Sequence, residues 1–101
     1  MRKYKNMDDY IIDLLKSPEE SEAYLNASVG AYMEDEDTAA FCIALEHLVK
    51  SRCPVSEFSR KNNINRKQLY RIFKNETNPS MEFVLKILKS LGFKIQFRLA
   101  G

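Results

Sequence analysis

The chain has 101 residues, 45% of them apolar, with three glycines and three prolines; that suffices for one core and excludes a low-complexity or loop-dominated protein. No run reaches the ~18 apolar residues of a membrane span. The basic opening MRKYKNMDDY leads into an acidic pair instead of an apolar stretch, which argues against a signal peptide and for a cytoplasmic protein. The net charge of +2 is unevenly divided: residues 1–53 carry six Lys/Arg against eleven Asp/Glu, a net of −5, and residues 54–101 carry ten against three, a net of +7. Such a split predicts a polyanion for the basic half and a basic partner for the acidic half. The plainer alternative for the acidic half is an ordinary solvated face.

In chain order, MDDYIIDLLK (7–16) places Tyr10, Ile11, Leu14 and Leu15 on one helical stripe. Ser17-Pro18-Glu19-Glu20 reads as a helix start, with Ser17 as cap, Pro18 in the first turn and Glu20 completing a capping box. This second helix carries Leu25, Val29, Tyr32 and Met33, and Gly30 is its weak spot. EDED (34–37) is a charged break whose Asp37, or the following Thr38, can cap a third helix over about 38–52. Phe41, Leu45, Leu48 and Val49 form its apolar face, and Lys50 and Arg52 complement its dipole. Pro54 opens a short fourth helix, about 54–62, anchored by Phe58. Asn63 stands where a left-handed residue is needed, Ile64 plugs the core, and Asn65 caps a fifth helix over about 66–74, with Gln68 completing a capping box. After the loop NETNPS, Ser80 caps a sixth helix with Val84, Leu85, Ile87, Leu88 and Leu91 as its apolar side, ended by Gly92. The tail FKIQFRLA switches to period two, with Phe93, Ile95, Phe97 and Leu99 on one face, which predicts a half-buried strand. No other segment reads as a strand, so pairing across a dimer is the expected solution, with those four residues as the dimerisation contacts.

Catalysis and metal binding find little support. Cys42 and Cys53 are eleven residues apart, and His47 lies five residues from Cys42, a spacing that does not share a helical face well. Both cysteines are expected as reduced, packed thiols and His47 as exposed. With one histidine, no Gly-rich loop and no nucleophile beside a base, the chain reads as a non-enzyme without cofactor or metal.

Helices four and five, short and joined by a tight turn between apolar helices, have helix-turn-helix spacing. Arg66, Lys67, Gln68, Tyr70, Arg71 and Lys74 face outward from the second of them, while Leu69, Ile72 and Phe73 point in. Arg, Lys and Gln are side chains able to reach base edges and phosphates. Ser56, Ser59 and Arg60 on the preceding helix can hold the DNA backbone, and Asn65 presents the helix start to a phosphate. A solvated basic helix is the alternative, which the turn, caps and flanking core disfavour.

The stretch VSEFSRKNNINRKQLYRIFKNETNPSMEFVLKILKSLGF resembles the lambda-repressor-like (XRE-type) helix-turn-helix. Phe58 and Ser59, Asn63 and Ile64, the capped basic helix, Asn78-Pro79-Ser80 and Leu91-Gly92 carry the pattern. More specifically, AYLNASV, AAFCIALEHLVKSR, FSR, INRKQLYRIF, NPS and VLKILKSLGFKI resemble the antidote proteins of toxin–antitoxin addiction modules, over residues 23–97. Asn63 replaces the usual turn Gly, Asn65 the usual Ser/Thr cap and Ser59 the usual Ala. Val55 stands where the lambda type has Gln, which removes one familiar DNA contact. The resemblance implies a dual role: autoregulation of the operon as an operator-binding dimer, and neutralisation of a RelE/ParE-like toxin by direct binding. A helix-turn-helix regulator of phage or plasmid origin without a toxin is the alternative. The expected architecture is all-α: an N-terminal helical extension (1–36), a helix-turn-helix domain (37–92) and a C-terminal dimerisation strand (93–101), in one compact domain.

Overall fold

Side-chain caps start five of the six helices in the computed structural model, which describes residues 4–100. Arg2 and Lys3 of the basic opening, and Gly101, lie outside the described residues. The helices are α1 (Met7–Leu14), α2 (Pro18–Asp35), α3 (Thr38–Lys50), α4 (Val55–Lys61), α5 (Arg66–Phe73) and α6 (Met81–Ser90). Asn6, Ser17, Asp37, Asn65 and Ser80 accept from the amides of Asp9, Glu20, Ala40, Gln68 and Phe83, satisfying donors that have no intrahelical partner. At Ser17 the box is not reciprocal, because its own amide is already given to the Leu14 carbonyl at 3.3 Å. Helix α4 follows Pro54 without a side-chain cap. Left-handed residues turn the chain at Glu36, Asn63, Asn75 and Gly92, with φ of 55°, 53°, 59° and 95°. Gly30 does not interrupt α2.

Helix α3 is the axis of the fold and packs against α1, α2, α4 and α5. Its Leu45, Leu48 and Val49 are fully buried. Around them gather Leu15 and Leu25 from the N-terminal helices, Val55 and Phe58 from α4, Ile64 from the turn, Leu69, Ile72 and Phe73 from α5, and Ile87, Leu88 and Leu91 from the last helix and its end. Burying such side chains is the main favourable term in folding.

Several expectations are corrected. Residues 93–100 form no strand, and no β structure occurs among the described residues, although the all-α class holds. Alternation marks a segment able to present two faces, but a strand exists through ladder bonds to a neighbour, and no segment among the described residues supplies one. Phe93 packs on the core, its amide donating to the Leu88 carbonyl at 3.0 Å, whereas Phe97 and Leu99 are 96% and 99% exposed. His47 is buried, not exposed. On α1, Ile11 and Leu15 turn inward but Tyr10 and Leu14 face out; on α2, Leu25 is buried but Val29, Tyr32 and Met33 are exposed; on α6, Leu85 is exposed. In each case periodicity marks a common face that neighbouring elements leave largely open. Cys42 is buried and Cys53 half-buried, both as free thiols.

Candidate nucleic-acid interface

Helix α5 owes its position to its apolar side. Leu69, Ile72 and Phe73 are buried against the core, which forces the intervening residues outward. Arg66, Lys67, Gln68, Tyr70, Arg71 and Lys74 are all exposed. The helix starts where the Asn65 side chain takes the Gln68 amide at 2.9 Å. The turn before it is held from three sides. The Ile64 amide donates to the Ser59 carbonyl at 2.9 Å. The Asn62 side-chain amide donates to the Phe58 carbonyl at 2.9 Å. From α6, Lys86 Nζ donates to the Asn63 carbonyl at 2.9 Å. The two short helices are thus joined by one backbone bond, Ile64 to Ser59, with the Asn62 and Lys86 side chains bonding further carbonyls of the turn region.

Ser56 and Arg60 are exposed on α4, and Asn65 is exposed between the two helices. Ser59 is buried instead, with its hydroxyl donating to the Ser56 carbonyl at 2.9 Å, so it is a packing residue and not a backbone contact. Val55 is buried too. No ion pair among the described residues involves Arg60, Arg66, Lys67, Arg71 or Lys74; the pairs present join Lys16–Asp13, His47–Asp8, Lys50–Glu46 and Lys61–Glu57. Five cations are therefore held on an ordered scaffold with no carboxylate of the described residues paired to them. The dimerisation residues fall apart as a group: Phe93 sits on the core and Ile95, Phe97 and Leu99 face solvent.

A second polar cluster escapes sequence reasoning. His47, 5% exposed, links three helices: Nδ1 lies 2.7 Å from the Tyr24 hydroxyl of α2 and Nε2 lies 2.7 Å from Asp8 Oδ1 of α1. A carboxylate only accepts, so Nε2–H donates to Asp8, and Nδ1 shares a hydrogen bond with the tyrosine hydroxyl. Burial, and then the Asp8 charge, raise the Tyr24 pKa; burial raises that of Cys42. The sequence holds one clue: Ala44, His47 and Ser51 share a face at helical spacing, and the small neighbours allow a close approach by α1 and α2. No three His, Cys, Asp or Glu side chains cluster as a metal site among the described residues.

Residues 4–99 match the family described as "Probable addiction module antidote protein". The chain belongs to that family. An antidote counteracts the toxin of its module, so the family gives the chain an antitoxin role and a toxin as partner. The match spans both halves of the charge asymmetry, the acidic helices as well as the basic ones. No curated protein and no solved structure matches this antidote. No helix among its described residues is long and apolar enough to cross a membrane.

Proposed function

We propose that this antidote binds operator DNA through α4, the turn and α5, acts as a homodimer that represses its own operon in the cytoplasm, and neutralises a RelE/ParE-like toxin by direct binding, without chemistry of its own. The carrying observation is the row of uncompensated side chains on α5, presented by a helix whose other side is locked into the core. Its resemblance to the XRE-type helix-turn-helix supports the same reading.

In this reading α5 lies in the major groove. The first-turn amides of Arg66 and Lys67 have no intrahelical acceptor and face a phosphate together with the positive end of the helix. Arg66 and Arg71 can each grip a guanine through O6 and N7, for about 1–3 kcal/mol of discrimination apiece. Lys67, Gln68 and Tyr70 lie beside them, and Lys74, Arg60 and Ser56 reach the phosphates. One such unit makes few base contacts, so two copies on half-sites roughly 10 bp apart, or a multiple of that, are expected. The test is titration of variants against the promoter fragment and a scrambled duplex. Arg71→Ala should weaken operator binding far more than scrambled binding, and Lys74→Ala should weaken both equally. Equal losses for Arg71→Ala would show that α5 does not read bases.

A further inference from the structure

We propose that the groove between α2 and α3 is where this antidote grips its toxin, and that it takes an apolar segment of the toxin flanked by basic side chains. The inference rests on the antitoxin reading above and locates its surface.

Helix α2 has 18 residues, yet its buried ones, Ser21 and Leu25, both lie in its first half. Along α3 it leaves a groove of about 240 Å³ between the two helices. Four alanines line it, Ala27, Ala31 and Ala40 exposed and Ala44 buried, so small side chains leave room for a partner to come near both helices. Two aromatic rings line it as well, Tyr32 and Phe41, 5.8 Å apart and tilted by 51°. Aromatic side chains such as these are enriched at the buried centre of protein interfaces.

The charge around the groove selects the occupant. From Ser17 to Val49 the chain has eight Asp/Glu and no Lys or Arg. Glu34, Asp35, Glu36 and Asp37 stand at the end where α2 passes into α3, and Asp35 and Asp37 line the groove itself. Those two accept backbone amides, of Asp37 at 2.9 Å and Ala40 at 3.0 Å, which leaves each carboxylate further acceptor capacity. No ion pair among the described residues involves any of the four. A surface of this sign repels nucleic acid and speeds the approach of a cationic protein.

The test uses the full chain and the protein encoded by the adjacent gene, with affinity and association rate measured against salt. Two variants probe the groove. Ala31→Trp fills it from an exposed position. Asp35→Asn with Asp37→Asn removes two charges but keeps the Oδ1 acceptors and an efficient N-cap. Ala31→Trp should lower affinity at least about tenfold, the loss typical of a blocked central contact. The Asn pair should slow association at low salt and flatten its salt dependence. Helical circular dichroism and promoter binding should be unchanged in both. Failure of the wild-type chain to bind the neighbouring protein would sink the antitoxin reading itself. Wild-type binding with both variants equally tight would overturn the groove alone. So would a change in the mass of the free chain by light scattering, which would mark the groove as a contact between copies. Should Ala31→Trp misfold, the Asn pair, which keeps these hydrogen bonds, decides the matter.

Discussion

His47 shows how one side chain can join elements far apart in sequence. Its ring is bonded at both nitrogens, to Tyr24 and to Asp8, at 2.7 Å each. Replacing it with Phe leaves the half-buried Tyr24 hydroxyl without its partner, and such an unmet group destabilises by about 1–3 kcal/mol. Urea unfolding of His47→Phe should show that loss, and an unchanged midpoint would show that water replaces the ring at no cost. The pH response follows from the groups beside it. Tyr24 and Cys42 are both held above their ordinary pKa values, chiefly by burial. The folded chain therefore keeps protons that the unfolded chain releases, so stability is fully present below about pH 9 and falls as pH rises through the range where tyrosine and cysteine ionise. Thermal midpoints measured from pH 8 to 11 should decline, and more gently in Tyr24→Phe. Identical slopes would assign the decline to other groups.

Among the connecting elements, the α2–α3 and α4–α5 turns solve one geometric problem with different residues. Each needs positive φ, 55° at Glu36 and 53° at Asn63. An ordinary L-residue pays roughly 1–2 kcal/mol in that region, Asn less and Gly nothing. Glu36→Gly should therefore raise the unfolding free energy by about 1 kcal/mol, since the relieved strain exceeds the added chain entropy. Asn63→Gly should be near neutral, while the β-branched Asn63→Val should destabilise by at least ~1 kcal/mol and weaken promoter binding, because this turn sets α5 against α4. Chemical denaturation of the three variants checks the order. A destabilised Glu36→Gly would mean that the Glu36 side chain contributes more than its strain removes.

Taken as one body, the protein is a helical core with an acidic surface built by α2 and α3, a basic one built largely by α4 and α5, and a tail that belongs to neither. The core centres on α3, so Leu48→Ala, at a fully buried position, should lose about 2–5 kcal/mol. Ending the chain after Phe93 should hardly matter to folding, since Phe97 and Leu99 are almost wholly exposed. Surface changes of this kind fall within roughly 0.5 kcal/mol. A large fall in thermal midpoint on truncation would place the tail against the fold in solution.

The helices and the face of α5 were legible in the residue order because their causes are short-ranged. A cap acts over three residues, as Asn65 does on Gln68. A left-handed turn is set by one residue, as at Asn63. The inward side of α5 follows from the spacing of Leu69, Ile72 and Phe73 within a single helix. Other features depended on what lies opposite a face. Periodicity grouped Val29, Tyr32 and Met33 with Leu25, but only Leu25 is buried, while Tyr32 rests one side on Phe41 and stays exposed on the other. Alternation grouped Phe93 with Ile95, Phe97 and Leu99, but no strand stood beside them. His47 became a buried link because α1 and α2 fold back over α3, bringing Asp8 to it across 39 positions of sequence and Tyr24 across 23. Residue order states which side chains share a face; the packing of distant elements determines whether that face is filled, linked or left open for a partner.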